Sequence, residues 1–97
     1  MLTISVTKDN AVYLNVDSQL LRGEVFGAEN ALKAGVRVET MEQLAEYLMQ
    51  ARTRNPKLRT VIKADKATPY GPVQDIMDVL QRVRISRFNL VTELEGA

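Results

Sequence analysis

Hydrophobic positions in this chain follow two rhythms. From Leu2 the apolar residues Leu2, Ile4 and Val6 alternate with Thr3, Ser5 and Thr7, and after a polar break Val12, Leu14 and Val16 alternate with Ala11, Tyr13 and Asn15. A period of two marks a strand with one buried face, so the opening predicts a β-hairpin. A two-residue loop at Asp9 and Asn10 pairs Val6 with Tyr13 and sends Val12 and Leu14 to the face opposite Ile4 and Val6. A three-residue loop of Lys8, Asp9 and Asn10 pairs Val6 with Val12, Ile4 with Leu14 and Leu2 with Val16, which gathers every aliphatic side chain on one face. Asn10 then takes the left-handed position that closes such a loop, a conformation asparagine tolerates better than most residues.

The helical rhythm begins at Thr40. Thr40 and Gln43 have the spacing of a capping box, in which each side chain satisfies a free backbone donor. Met41, Leu44, Ala45, Leu48 and Met49 recur at helical spacing as one stripe. Arg52 and Arg54 suit the negative end of the helix dipole and Pro56 stops the helix, which is predicted from Met41 to Arg54. Between hairpin and helix, from Asp17 to Glu39, the pattern weakens. Leu20, Leu21, Val25 and Phe26 are apolar, but Gly23, Gly27 and Gly35 interrupt any long period. A short helical turn at Glu29 to Ala34 and a short strand at Val36 to Glu39 are expected. The segment is too apolar for a free linker and reads as a flap over an end or edge of the sheet rather than a partner-binding loop.

From Leu58 to Glu93 both rhythms combine. Leu58, Thr60, Ile62 and Ala64 alternate with Arg59, Val61 and Lys63, and Asp65, Lys66 and Ala67 form a connection. Thr68 fits a helix N-cap with Pro69 at the first helical position. The helix that follows is expected to bury Val73, Ile76, Met77, Leu80 and Val83 and to expose Gln74, Asp75, Asp78, Gln81 and Arg82. Ile85 and Ser86 then lead into a strand with Phe88, Leu90 and Thr92 on one face and Asn89, Val91 and Glu93 on the other. A strand, helix and strand joined by a crossover of this length make a right-handed βαβ unit with parallel strands. Each helix has one narrow stripe and the sheet one fully apolar face, so both helices belong on the same side. The fold class is therefore α+β: a small mixed β-sheet, built from the N-terminal hairpin and the right-handed βαβ unit, with two helices packed on one face. Residues 1–97 are expected to form a single domain.

Composition narrows the chemistry. The absence of cysteine excludes disulfides, thiolate zinc sites and cysteine nucleophiles, and the absence of histidine removes the usual metal ligand and the side chain that titrates near neutrality. No catalytic group, metal or cofactor is expected, and the chain is not expected to be an enzyme. A formal net charge of +1 gives no whole-molecule field to gather nucleic acid or anionic lipid, so partners must be chosen by local surface. No apolar stretch approaches the roughly 20 residues that span a bilayer.

The central unit also carries a signature. IKADKATPYGPVQDIMDVLQRVRISRFNLVTE resembles the C-terminal part of the ExbD/TolR family: a strand ending in R/KADK, here Lys63 to Lys66; a tyrosine opening the next helix, here Tyr70; a V-MD-L pattern within it, here Val73, Met77, Asp78 and Leu80; and a last strand close to GLV, here Asn89 to Val91. The opening ISVTKDNAVYLN is similar to the family's strand, turn and strand ending in YLN. The bridge from Asp17 to Glu39 is longer than is usual in the family. The resemblance implies a subunit that uses the inner-membrane proton-motive force beside an ExbB-like or TolQ-like membrane subunit and acts on a TonB-like or TolA-like partner, within the ExbD, TolR or gliding-motor branch. Family members begin with a cytoplasmic tail and one transmembrane helix whose embedded aspartate handles protons. Nothing in this sequence corresponds to that helix, so the expectation is a periplasmic domain of a single-pass inner-membrane protein, excised from its parent, with Met1 added as a start. Such a domain contributes binding and conformational switching, and the family implies a homodimer.

Three sets of residues invite a functional reading. Asp65 between Lys63 and Lys66 suggests an active-site acid, but aspartate in a tight turn commonly satisfies backbone donors, and Lys63, Asp65, Lys66 and Tyr70 are read as structural. Asp75 and Asp78, about one turn apart, read as a solvated helix face rather than paired carboxylates. Arg52, Arg54, Lys57 and Arg59, together with Arg82, Arg84 and Arg87, fall where helices finish and strands begin, which places both groups at one end of the sheet. Arg52, Arg54, Arg84 and Arg87 are the candidates for binding an anionic polymer, and the likeness to the TolR branch suggests peptidoglycan. The last strand leaves an open sheet edge, where a second copy or an extended peptide can add a strand, and Asn89, Leu90 and Val91 are the candidate partner-binding residues. The alternative is an α/β RNA-binding module that uses the basic end with Tyr13 or Phe88 as stacking platforms. Near-neutral charge and only five aromatic residues weigh against it, and no nucleic acid is expected as a partner.

Overall fold

The computed structural model describes residues 1–27 and 35–93. β1 (Leu2–Val6) and β2 (Val12–Val16) are followed by α1 (Gln19–Phe26), β3 (Val36–Val38), α2 (Met41–Arg54), β4 (Thr60–Asp65), α3 (Tyr70–Arg82) and β5 (Phe88–Glu93). The strands form one mixed sheet in the order β3-β2-β1-β4-β5. β2 is antiparallel to both β1 and β3, while β4 is parallel to both β1 and β5. This is the α+β arrangement of hairpin and parallel βαβ unit that the two rhythms predict.

The hairpin has the three-residue loop. Leu2 pairs with Val16, Ile4 with Leu14 and Val6 with Val12. The Thr7 N–H donates to the Ala11 carbonyl at 2.9 Å, the Thr7 hydroxyl accepts from the Ala11 N–H at 3.1 Å, and Asn10 takes φ 68°. Across the sheet these registers align Val36, Leu14, Ile4, Ile62 and Leu90 in one row. Leu14, Ile4 and Ile62 are fully buried, whereas Leu90 at the edge is 43% exposed. The residues between rows, including Thr3, Ser5, Tyr13, Lys63 and Val91, are half-buried or exposed. The described helices therefore share one face, and the other faces outward.

A third helix joins the two that periodicity predicts. α1 is eight residues long: the Ser18 side chain accepts from the Leu21 N–H at its start, and Gly27 at φ 95° ends it. Its cap and its stop are local, but its stability is tertiary, as expected of so short a helix. Leu21, Val25 and Phe26 are buried, and the Phe26 ring meets Tyr47 of α2 edge-on, with centroids 5.0 Å apart. Gly23, which breaks the apolar period in sequence, lies within the helix. The strand expected at Val36 to Glu39 is β3, pairing with β2. The helical turn expected at Glu29 to Ala34 lies outside the described residues.

α2 has the predicted bounds and cap. The Thr40 hydroxyl accepts from the Gln43 N–H at 3.0 Å, and the Gln43 side chain reaches back to the Glu39 N–H at 2.7 Å. Thr40→Ala removes one arm and should cost about 1 kcal/mol, read as a lower urea midpoint. The stripe is narrower than predicted: Leu44, Leu48 and Ala51 are buried, while Met49, one helical step aside, is 57% exposed. In α3, Val79 joins Val73, Ile76, Leu80 and the following Val83 in the core, and Met77 is only half-buried. α3 also starts one residue later than Thr68 and Pro69 suggest. Pro69 is the N-cap without a side-chain bond, and the Thr68 hydroxyl turns instead to the Val6 carbonyl, 3.4 Å away at the end of β1.

Candidate functional site

β1, β4 and β5 are parallel and begin at one end of the sheet, where α2 and α3 finish. The two helix-to-strand turns, residues 55–59 and 83–87, are consequently neighbours. Between them lies an open cleft of about 730 Å³ walled by Arg52, Lys57, Arg59, Arg84 and Arg87, with Leu58, Ile85 and Phe88 as its apolar part. Among the described residues none that lines it is Asp or Glu. All five cations are exposed, and among the described residues none of them pairs with a carboxylate. Like charges gathered around a concavity give it a positive local potential that favours anions.

Of the four arginines singled out in sequence, the fold brings Arg52, Arg84 and Arg87 together there. Arg54 turns toward α1, where its guanidinium lies 3.5 Å from the Glu24 carboxylate, and it does not line the cleft. Arg82 is exposed on α3, also outside the lining.

Arg84 has an unusual backbone. It follows the end of α3 at φ 65°, its N–H donating to the Gln81 carbonyl at 3.1 Å while the Ile85 N–H reaches the Leu80 carbonyl at 2.8 Å. This is a left-handed helix stop, a position usually held by glycine. A Cβ there costs about 1–2 kcal/mol, more than the extra unfolded-state entropy of glycine, about 0.4–1 kcal/mol. Arg84→Gly should therefore raise stability by about 0.5–1 kcal/mol while removing a cleft cation, and thermal unfolding of the two proteins checks it.

β5 offers a second surface. Among the described residues it is the last strand of the sheet and pairs on one side only, with β4. Leu90 on the helix-covered face is 43% exposed, and Val91 on the outward face is 42% exposed. Asn89, also on the outward face, is exposed. Beside the start of β5 runs a groove of about 450 Å³ against α3, with Met77, Ile85 and Phe88 as its apolar residues and Arg84 at its rim. The groove is not apparent in sequence, because Met77 and Phe88 both have the spacing of core residues. In the fold both are half-buried at the border of the groove.

The KADK segment is a turn. The Asp65 carboxylate accepts from the Ala67 N–H at 2.8 Å, and its carbonyl accepts from the Thr68 N–H at 2.9 Å. Lys63 and Lys66 point to solvent, and Tyr70 is 65% exposed. Asp78 accepts from the Gln74 amide at 3.1 Å, and Asp75 and Asp78 are both exposed on α3. Among the described residues no three acidic, histidine or cysteine side chains gather as metal ligands, and no helix is long and apolar enough to cross a membrane.

Comparison with known proteins gives these surfaces a context. The chain is 32% identical over 93 residues to the Tol-Pal system protein TolR of Pseudomonas aeruginosa, an alignment that takes in 96% of this chain and 58% of that protein. The chain thus spans little more than half the length of the curated relative it matches. The profile of the family described as biopolymer transport protein ExbD/TolR matches residues 1–95, which includes the hairpin, the basic cleft and the β5 edge. The chain belongs to the ExbD/TolR family of biopolymer transport proteins.

Proposed function

We propose that this chain is the periplasmic interaction module of a proton-motive-force-driven inner-membrane complex of the ExbB–ExbD or TolQ–TolR type. Its own contribution is binding, not catalysis: the β5 edge takes an extended segment of a TonB-like or TolA-like partner, or the same edge of a second copy in a homodimer. One observation carries this reading. Among the described residues β5 has an unpaired edge, with an exposed aliphatic side chain on each face, Leu90 and Val91. A strand added there pairs its backbone with β5 and covers both side chains at once, which no ligand confined to one face does.

A linker peptide from a TonB-like or TolA-like protein, titrated into the chain, should shift the amide resonances of residues 88–91 first, and sedimentation should show a dimer at high concentration. A peptide that leaves β5 unperturbed, together with a strict monomer, refutes the reading. The basic cleft is a second surface, whose charge suits an anionic partner such as peptidoglycan. RNA suits it less well. Tyr13 pairs across from Ser5 on the outward face, whereas Phe88 aligns with Thr60 on the helix-covered face, so the two stacking platforms do not form one surface.

A further inference from the structure

We infer that the partner segment taken by the β5 edge carries carboxylates at one end of its pairing run, and that the basic cleft seats them. This rests on the proposed reading that β5 pairs with an extended segment, and it adds the chemistry of that segment. Continuity of the two surfaces is its basis. Arg84, Ile85, Ser86 and Phe88 line both the cleft and the α3–β5 groove, so the turn from α3 into β5 is a wall shared by the two. A strand paired along β5 passes the start of that strand beside Arg87, and three further extended residues reach about 10 Å beyond it.

Charge decides which end of the segment is acidic. β5 begins just after Arg84 and Arg87 and ends on Glu93, so charge along the edge runs from basic to acidic. Where β5 finishes, the cations of the neighbouring loops adjoin acids in sequence, Lys8 beside Asp9 and Lys66 beside Asp65. Carboxylates are therefore favoured at the start of β5 and not at its finish, which pins the register of a strand that backbone pairing alone would let slide. The lining selects a polypeptide over a bare polyanion. Leu58, Ile85 and Phe88 are half-buried among the cations. A chain of anionic groups alone offers nothing to that apolar part, whereas side chains between carboxylates cover it while the guanidinium forks hold the acids.

Three synthetic peptides test this, each with the same short strand of Val, Ile and Thr, flanked by three Glu at its N-terminus, three Glu at its C-terminus, or Gln at both. An exposed ion pair strengthens association about 2-fold, so one acidic peptide should bind about 8-fold more tightly than the Gln peptide, a gain that shrinks as salt rises. It is the first if the strand adds parallel to β5 and the second if antiparallel. Arg84→Gly combined with Arg87→Gln should cut the preference to about 2-fold and leave the Gln peptide unchanged, with circular dichroism verifying the fold. Equal binding of all three peptides, an equal gain for both acidic ones, or a preference that ignores salt or survives the double variant overturns the inference and leaves the edge reading standing. Three Glu on a Gly-Ser run that bind as tightly as on the strand show the cleft acting alone, which also overturns it. Purified sacculi that bind through Arg84 and Arg87, with no preference among the peptides, assign the cleft to the cell wall. Failure of every peptide to shift the amide resonances of residues 88–91 refutes the edge reading, and this inference with it.

Discussion

Ile4→Ala should lower the unfolding free energy by about 2–5 kcal/mol, a large part of the 5–15 kcal/mol typical of a domain this size. Ile4 is fully buried at the centre of β1, which is the middle strand of the sheet. Its neighbours in the row, Leu14 and Ile62, are also fully buried and are held in register by strand pairing on both sides. They cannot slide inward to fill the space, so the loss combines the transfer energy of the deleted carbons with the cost of a cavity. Urea denaturation should show the midpoint falling at constant slope, which marks a change in stability rather than in the extent of unfolding. A loss below about 1 kcal/mol would mean that the site collapses and that this row is not the centre of the core.

Leu90→Lys combined with Val91→Lys should abolish strand addition at β5 while leaving the fold intact. Full burial of a Leu or Val side chain contributes about 1.5–3 kcal/mol, and somewhat less than half of each surface here remains open, so covering both yields about 2 kcal/mol. Losing that term weakens linker-peptide binding, or dimerisation, about 30-fold, and the lysines add the cost of burying charge, a device natural edge strands use against pairing. Because the two side chains lie on opposite faces, single variants discriminate the mode of binding. Each should lose part of the affinity if a strand is added, whereas a ligand seated only in the α3–β5 groove should respond to substitution of Met77 or Phe88 and ignore Val91. Isothermal titration of the double variant that matched the unchanged chain would remove the edge from the proposal. Stability should fall far less than for Ile4→Ala, since both positions are already partly hydrated.

The elements most legible in sequence are those whose determinants are local or periodic. The hairpin register follows from parity alone, because only one loop length puts all six aliphatic residues on one face, and Asn10 supplies the backbone that loop requires. The Thr40 and Gln43 cap places the start of α2 correctly. α1 escapes this kind of reading because eight residues with an internal glycine carry little intrinsic helicity, and its order comes from burying Leu21, Val25 and Phe26 against its neighbours. Thr68 misleads for a related reason. Its composition suits a cap, but a tertiary contact with the end of β1 takes the hydroxyl instead.

The surfaces divide the same way. The order of helix ends and strand starts is enough to gather basic residues at one end of the sheet, because parallel strands joined by helices must all begin on the same side. Which arginines face a common space depends on side-chain neighbours far apart in sequence: Glu24 draws Arg54 away, and the left-handed turn after α3 carries Arg84 in. Likewise, alternation assigns Leu90 to the core face, but only the breadth of the helical layer sets how far cover extends, and it fades before β5. By itself, then, the sequence determined the strands, the two long helices, the sheet's buried face and the family signature, since each rests on periodicity or on contacts within a few residues. Only the tertiary structure decided the third helix, the membership of the cleft and the exposure of the last strand, because those depend on long-range packing that no local pattern encodes.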